Sequence, residues 1–295
     1  MCRVSRRAWA AFVIVAVLWG VPYLFIRVAV MEVTPVFIAW SRLVIAAAIL
    51  LPWAARRGSL RKALARWPWV LLLGAYYMAI AWTLIPVAEQ VVSSSLTAII
   101  ISGVPIAVAL INLRQEQPSP LQVVGLVIGF AGVIALVGLD VGVRPSQLLA
   151  VGCILIVLLC YALGPVMTSR KLKGVEAVAT SGLAAGFAGI ILTPLVVFQL
   201  PTRVPSLAAL LSLAALGLLC SVVALVAWFF LIAEAGPARA SIVIFLNPAV
   251  AVLAGVTLLH EGIGLAAIAG MVLILAGSWL ATTGRLPVLS GSRAA

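Results

Sequence analysis

Residues 206–232 read SLAALLSLAALGLLCSVVALVAWFFLI, with no Asp, Glu, Lys or Arg anywhere in the run. A helix rises 1.5 Å per residue, so roughly 20 residues cross the ~30 Å hydrocarbon layer of a bilayer. A run this long and this apolar offers water no polar face, which excludes a surface helix of a soluble domain. It does not alternate with period two, which excludes a barrel strand. It reads as a membrane-spanning helix, the form that satisfies its own backbone groups inside lipid.

Nine further runs of the same kind flank it, giving ten: about 9–31, 35–54, 67–87, 91–111, 120–138, 147–168, 177–199, 206–232, 237–259 and 264–283. The predicted fold is an all-α integral membrane protein of ten transmembrane helices. The gaps are short and hold no soluble domain. Of the 295 residues, 65% are hydrophobic and 9% charged, against roughly 25% charged in soluble domains. The N-terminal Arg3, Arg6 and Arg7 followed by an apolar run imitate a signal peptide. The run continues too far for one, so it reads as the first span.

The net charge of +12 is a topology signal and predicts no nucleic-acid partner. Arg3, Arg6, Arg7, Arg56, Arg57, Arg61, Lys62, Arg66, Arg114, Arg170, Lys171, Lys173, Arg239, Arg285 and Arg293 all fall on one side of a ten-span chain. Arg27, Arg144 and Arg203 fall on the other, and Arg42 lies within a span. Positive charge marks the cytoplasmic side, so both termini are expected there. Cys2, Cys153, Cys160 and Cys220 show no CxxC spacing, and neither a disulfide, a metal nor a cofactor is expected.

The halves of the chain repeat. Pro22 and Pro165, and Pro105 and Pro248, are 143 residues apart; Pro52 and Pro194, 142; Gly125 and Gly270, and Gly132 and Gly277, 145. The repeats are 1–143 and 144–295. Each carries five spans, an odd number, so the second enters the membrane inverted. Two inverted five-helix repeats around a central cavity are an architecture of secondary transporters, with substrate bound near the midplane.

Leu18-Trp19-Gly20, Arg27, Pro35 and Arg42 open the first repeat; Gly103-Val104-Pro105 breaks its fourth span. The counterpart reads Phe245-Leu246-Asn247-Pro248, followed by Glu261 and a Gly-rich last span. Across essentially the whole chain this resembles the EamA-type family of the drug/metabolite transporter superfamily, and looks closest to the YddG-like amino-acid exporters. The resemblance implies ten helices, inverted repeats and metabolite efflux across a bacterial inner membrane. It does not select a substrate.

Near the tenth residue of each span lie Trp19, Gly20, Tyr76, Tyr77, Ser102, Tyr161, Cys220, Ser221 and Asn247. Polar groups at that depth face the bundle interior. Trp19, Tyr77, Ser102, Tyr161 and Asn247 are candidate substrate-binding residues, and inter-helix hydrogen bonding is the other reading. Trp82 and Trp228 are cavity walls or packing. Pro22, Pro105, Pro165 and Pro248 each follow a Gly, Asn or Val and read as hinges or as static kinks. Gly125, Gly129 and Gly132, like Gly182 and Gly186, read as close helix packing; a monomer or weak homodimer is expected.

Arg42 reads either as a ligand for a substrate carboxylate or a gate, or as a side chain that snorkels or forms a structural ion pair. Glu89, His260 and Glu261 fall at external boundaries, where solvated or gate residues are expected. No acid sits at mid-membrane, so ion coupling has no support and facilitated diffusion serves as well. An enzyme would need a catalytic constellation; the one histidine supports none, and no GxxxxGK loop is present.

Overall fold

A computed structural model describes residues 6–112, 119–140, 145–235, 243 and 245–283. Among them no residue lies in a strand. The main helices are α1 (Arg6–Ala29), α2 (Pro35–Arg56), α3 (Trp67–Glu89), α4 (Ser94–Ile111), α5 (Pro120–Asp140), α6 (Pro145–Lys171), α7 (Ala177–Val197), α8 (Leu207–Ile232), α9 (Asn247–Leu259) and α10 (Leu265–Thr283). Starts are marked by chemistry. The hydroxyls of Thr34, Ser93 and Ser206 accept from the amides of Phe37, Leu96 and Ala209, satisfying free donors at the N-termini of α2, α4 and α8.

By length and composition, seven of these helices can cross a membrane: α1–α4 and α6–α8. The chain is a multi-pass membrane protein. The other three hold shorter apolar stretches, Pro120–Ile134, Asn247–Leu259 and Leu265–Ala281. Of the expected span 237–259, Asn247–Leu259 is described as a helix; residues 236–242 and 244 lie outside the described residues, as do Arg3, Arg114, Arg144, Arg239, Arg285 and Arg293.

Four of the spans depart from a plain α-helix. The first is interrupted at Val21, so Pro22 opens its second half at a position where its missing N–H costs nothing. The fourth breaks at Ser102-Gly103, just before Pro105. Pro248 is the second residue of α9. Pro165 differs: α6 runs unbroken through it, and the ring is exposed on the outer face. The third and eighth spans widen into π-helical segments, Gly74–Ile80 and Ala215–Val223. Such segments are often found at functional sites.

Glycines set the closest contacts. A Cβ on Gly125 would lie 2.5 Å from the Ala281 amide nitrogen, and one on Gly132 2.9 Å from that of Ile274, so α5 and α10 cross antiparallel. Gly182 faces Leu50 and Gly189 faces Leu43, so α2 and α7 do the same. The first half of α1 packs on the second half of α8, and α6 packs on the second half of α3. Two large buried cores result, beside two small ones along α1. One joins α1, α3, α4, α6 and α10; the other joins α2, α3 and α7. Large apolar side chains such as Ile134, Leu149, Ile190 and Leu265 are exposed on the outside, which is the face lipid covers.

Loop contacts report sidedness. Ser206 donates from its amide and its hydroxyl to Glu32, so the α1–α2 and α7–α8 loops share one side. These bonds hold the exposed Glu32 carboxyl below its usual range. Arg57 pairs with Glu176 at 3.3 Å, joining the α2–α3 and α6–α7 loops.

Candidate functional site

The two π segments and the interruption of α1 converge on one cluster. Arg42, two turns into α2, turns inward and is 8% exposed. Its Nε donates to Ser221 Oγ at 2.7 Å, and that hydroxyl donates to the Leu216 carbonyl at 2.8 Å, a bond to a carbonyl the π segment leaves within reach. The guanidinium carbon lies 3.8 Å from the centre of the Trp82 ring, a cation–π contact. Tyr23, Tyr77, Tyr161 and Cys220 are all within electrostatic range of the charge.

Tyr77, in the first π segment, and Tyr161, in α6, stack with ring centres 5.0 Å apart. The Tyr77 ring lies on Gly164, where a Cβ would come within 2.3 Å of it. Tyr161 packs on one core, Tyr77 on the other, and Trp82 on both. The cluster therefore occupies the seam between the cores. Tyr23, Tyr77, Trp82, Tyr161 and Ser221 each keep part of their surface open.

Trp19 and Asn247 form a second group. The Trp19 and Trp228 rings are 5.1 Å apart, and a Cβ on Gly20 would lie 3.1 Å from the Asn247 carbonyl. Asn247 Oδ1 is buried with no hydrogen-bond partner. The interruption in α1 joins the groups, with Gly20 on one side of it and Tyr23 on the other. Ser102 belongs to neither: its hydroxyl donates to the Ile99 carbonyl at 2.6 Å, and its own carbonyl accepts from Ser278 at 3.4 Å. Tyr23 is absent from the sequence candidates. Its signal was its place beside Pro22, at the break.

A third cluster closes the end of the bundle formed by the α3–α4 and α9–α10 loops. The Glu261 carboxylate accepts from the amides of Ser94 (2.9 Å) and Ser95 (3.1 Å) and from both their hydroxyls (2.8 and 2.5 Å). It sits on the N-terminus of α4, where free amides and the helix dipole favour an anion. Two features bring it there. His260 caps α9 in the left-handed conformation (φ 53°), an uncommon state for a non-glycine residue. Gly255 leaves the room: a Cβ there would lie 2.6 Å from Glu261 Oε2. Burial pushes the Glu261 carboxyl up, but the Ser95 and Ser94 bonds outweigh it and hold the group below its ordinary 4.5.

Glu89, expected at a solvated boundary, is instead fully buried at the end of α3. Neither carboxylate oxygen has a hydrogen-bond partner; Arg27 bonds to the Glu89 carbonyl, and Tyr23 and Glu261 are within electrostatic range. Hydropathy marks Glu89 as a span end but does not register the burial that packing gives it. Among the described residues no group of three His, Cys, Asp or Glu side chains could hold a metal.

Comparison with known proteins gives a consistent result. The EamA-like transporter family matches over residues 7–138 and again over 148–283. The uncharacterized inner membrane transporter YedA of Escherichia coli is 31% identical over 246 residues, 81% of this chain and 78% of that protein. The uncharacterized transporter YoaV of Bacillus subtilis is 24% identical over 91% of this chain and 94% of its own. Protein PagO of Salmonella typhimurium is 25% identical over 82% and 81%. A solved crystal structure superposes with a TM-score of 0.64 over 93% of this chain and 96% of its own; at 19% identity that likeness concerns the fold alone.

Proposed function

The chain belongs to the EamA-like transporter family, and from that premise we propose that it is an inner-membrane carrier, not an enzyme, that exports small metabolites, foremost amino acids with apolar or aromatic side chains. Ten spans form two inverted repeats, 1–143 and 144–295, and alternate access to a site between them. Three observations support the repeat. The family matches the chain twice. Gly74 of α3 packs on α7 just as Gly217, 143 residues later, packs on α2 from α8. The pairing of α1 with α8 recurs as that of α6 with α3.

The observation that carries the substrate class is the aromatic cluster at the seam of the two cores. Aromatic contacts contribute about 0.5–1.5 kcal/mol each beyond area burial, and stacked Tyr77 and Tyr161 offer faces to an apolar side chain. The unpartnered Asn247 Oδ1 is an acceptor for a ligand N–H. With no acid at mid-span, transport runs down the substrate gradient.

Counterflow in liposomes tests the reading. Labelled phenylalanine should exchange with saturable kinetics. Tyr77→Ala and Asn247→Ala should weaken apparent affinity roughly tenfold and fivefold, the size of one aromatic contact and one hydrogen bond, with folding intact. A pH gradient alone should accumulate nothing. Normal transport by both variants would remove the site assignment, and pH-driven accumulation would remove the facilitated mechanism. Both termini should be cytoplasmic; tags at residues 1 and 295 that label from opposite sides would rule out the ten-span count.

A further inference from the structure

We propose that Arg42 is the carboxylate-binding residue of the transport site, so that substrates are small monocarboxylates recognised by their acid group rather than by their ammonium; this rests on reading the cluster around Tyr77 and Tyr161 as the substrate site. A guanidinium enclosed within a span carries a full charge away from water, and such groups normally face a counter-ion or mark a substrate path. Among the described residues no Asp or Glu oxygen lies within 4.0 Å of Arg42. The described residues thus enclose one positive charge without supplying the matching negative one.

The way Arg42 is held shows which part of it is free. Its Nε is committed to Ser221, and one face of the guanidinium is covered by Trp82. Ser221 in turn donates to Leu216, so it accepts from Nε and cannot swing away without losing its own bond. The two terminal nitrogens bond to no described residue. Their edge is one that takes a carboxylate through two parallel N–H···O bonds, and Arg surpasses Lys there because the fork is planar and pre-set. A carboxylate on that edge places the rest of its molecule among Tyr23, Tyr77 and Tyr161. One positive charge matches one negative charge, which favours monoanions over phosphates or dicarboxylates. A ligand without an acid group leaves the buried charge unmatched.

Three compounds of one shape separate the possibilities: L-phenylalanine, 3-phenylpropionate (acid, no amine) and phenylalaninamide (amine, no acid). Each is tested against the purified full chain for a shift in Tm and for competition in phenylalanine counterflow. The expected result is that both acids act and the amide does not. Arg42→Gln should weaken both acids at least tenfold, and Arg42→Lys should recover part of that loss. If the amide acts as well as the acids, or if acid responses survive in a folded Arg42→Gln protein, the inference is overturned while the amino-acid reading stands. If none of the three acts, both fall. The compound series needs no variant, so it decides the matter even where Arg42→Gln does not fold.

Discussion

Gly277→Leu is expected to abolish the folded protein. A Cβ at Gly277 would lie 2.4 Å from the Gly129 nitrogen, 2.5 Å from its Cα and 2.6 Å from the Gly125 carbonyl oxygen. All three are backbone atoms of α5, so no rotamer change relieves the clash. Overpacking in cores that can adjust costs typically about 1–3 kcal/mol; here two helices must separate along their whole crossing, and a loss above about 3 kcal/mol is expected. Inside lipid the damage is greater in kind. No hydrophobic force draws helices together there, and association depends on the close contact that small residues permit. Gly125→Leu, which would meet the Ala281 nitrogen at 2.5 Å, should behave alike. Gly152→Leu is the control: it meets nothing within 4 Å and exchanges a poor helix former for a good one, so its Tm should not fall. Size-exclusion profiles and Tm of the three variants in detergent read the outcome. A Gly277→Leu protein that melts like Gly152→Leu would mean that α5 and α10 do not cross as described.

That glycine crossing was legible in the sequence because its signal is local: small residues four apart on one helix. The breaks at Pro22 and Pro105 were legible for the same reason. Pro165 shows the limit. It holds the matching place in the second repeat, 143 residues after Pro22, yet α6 continues through it, since its ring points outward and Gly164 is held under Tyr77. The π segments gave no sign at all. Seven residues such as Gly74–Ile80 are too few to tell a 4.4-residue period from one of 3.6, and the widening is imposed by the neighbours. The partners of Arg42 and Glu261 lay further out of reach. Arg42 turns inward because Ser221, 179 residues away, receives its Nε. The acceptor of four bonds at the start of α4 comes from 167 residues away. Charge and hydropathy place such groups at a depth in the membrane; only the packing of distant helices says which way they face.

Glu261→Ala should open the end of the bundle that Glu261 now closes. Ser94 and Ser95 are 1% and 2% exposed, so without the carboxylate their amides and hydroxyls would stay buried and unbonded. Hydrogen bonds to charged groups contribute about 1.5–3 kcal/mol each, although the four here share one anion and do not add. A net loss of about 2–3 kcal/mol would move the closed-to-open ratio by roughly 30- to 150-fold. A single cysteine at Val92, in the loop before α4 and 6% exposed, should then react with a membrane-impermeant maleimide far faster in the Glu261→Ala background. Glu261→Gln keeps one acceptor oxygen and should fall between. The pH dependence has a definite sign. The Glu261 carboxyl is held below its ordinary 4.5, so its ionised form is the one the closed contact favours. Its contribution is therefore complete above about pH 4.5 and is lost as pH falls through the lowered value. Labelling of the parent protein, taken as a ratio to that of Glu261→Ala at the same pH so that ionisation of the thiol cancels, should be low and flat above pH 5 and should approach one only in stronger acid. Equal labelling of parent and variant would show that Glu261 caps a helix without holding a gate.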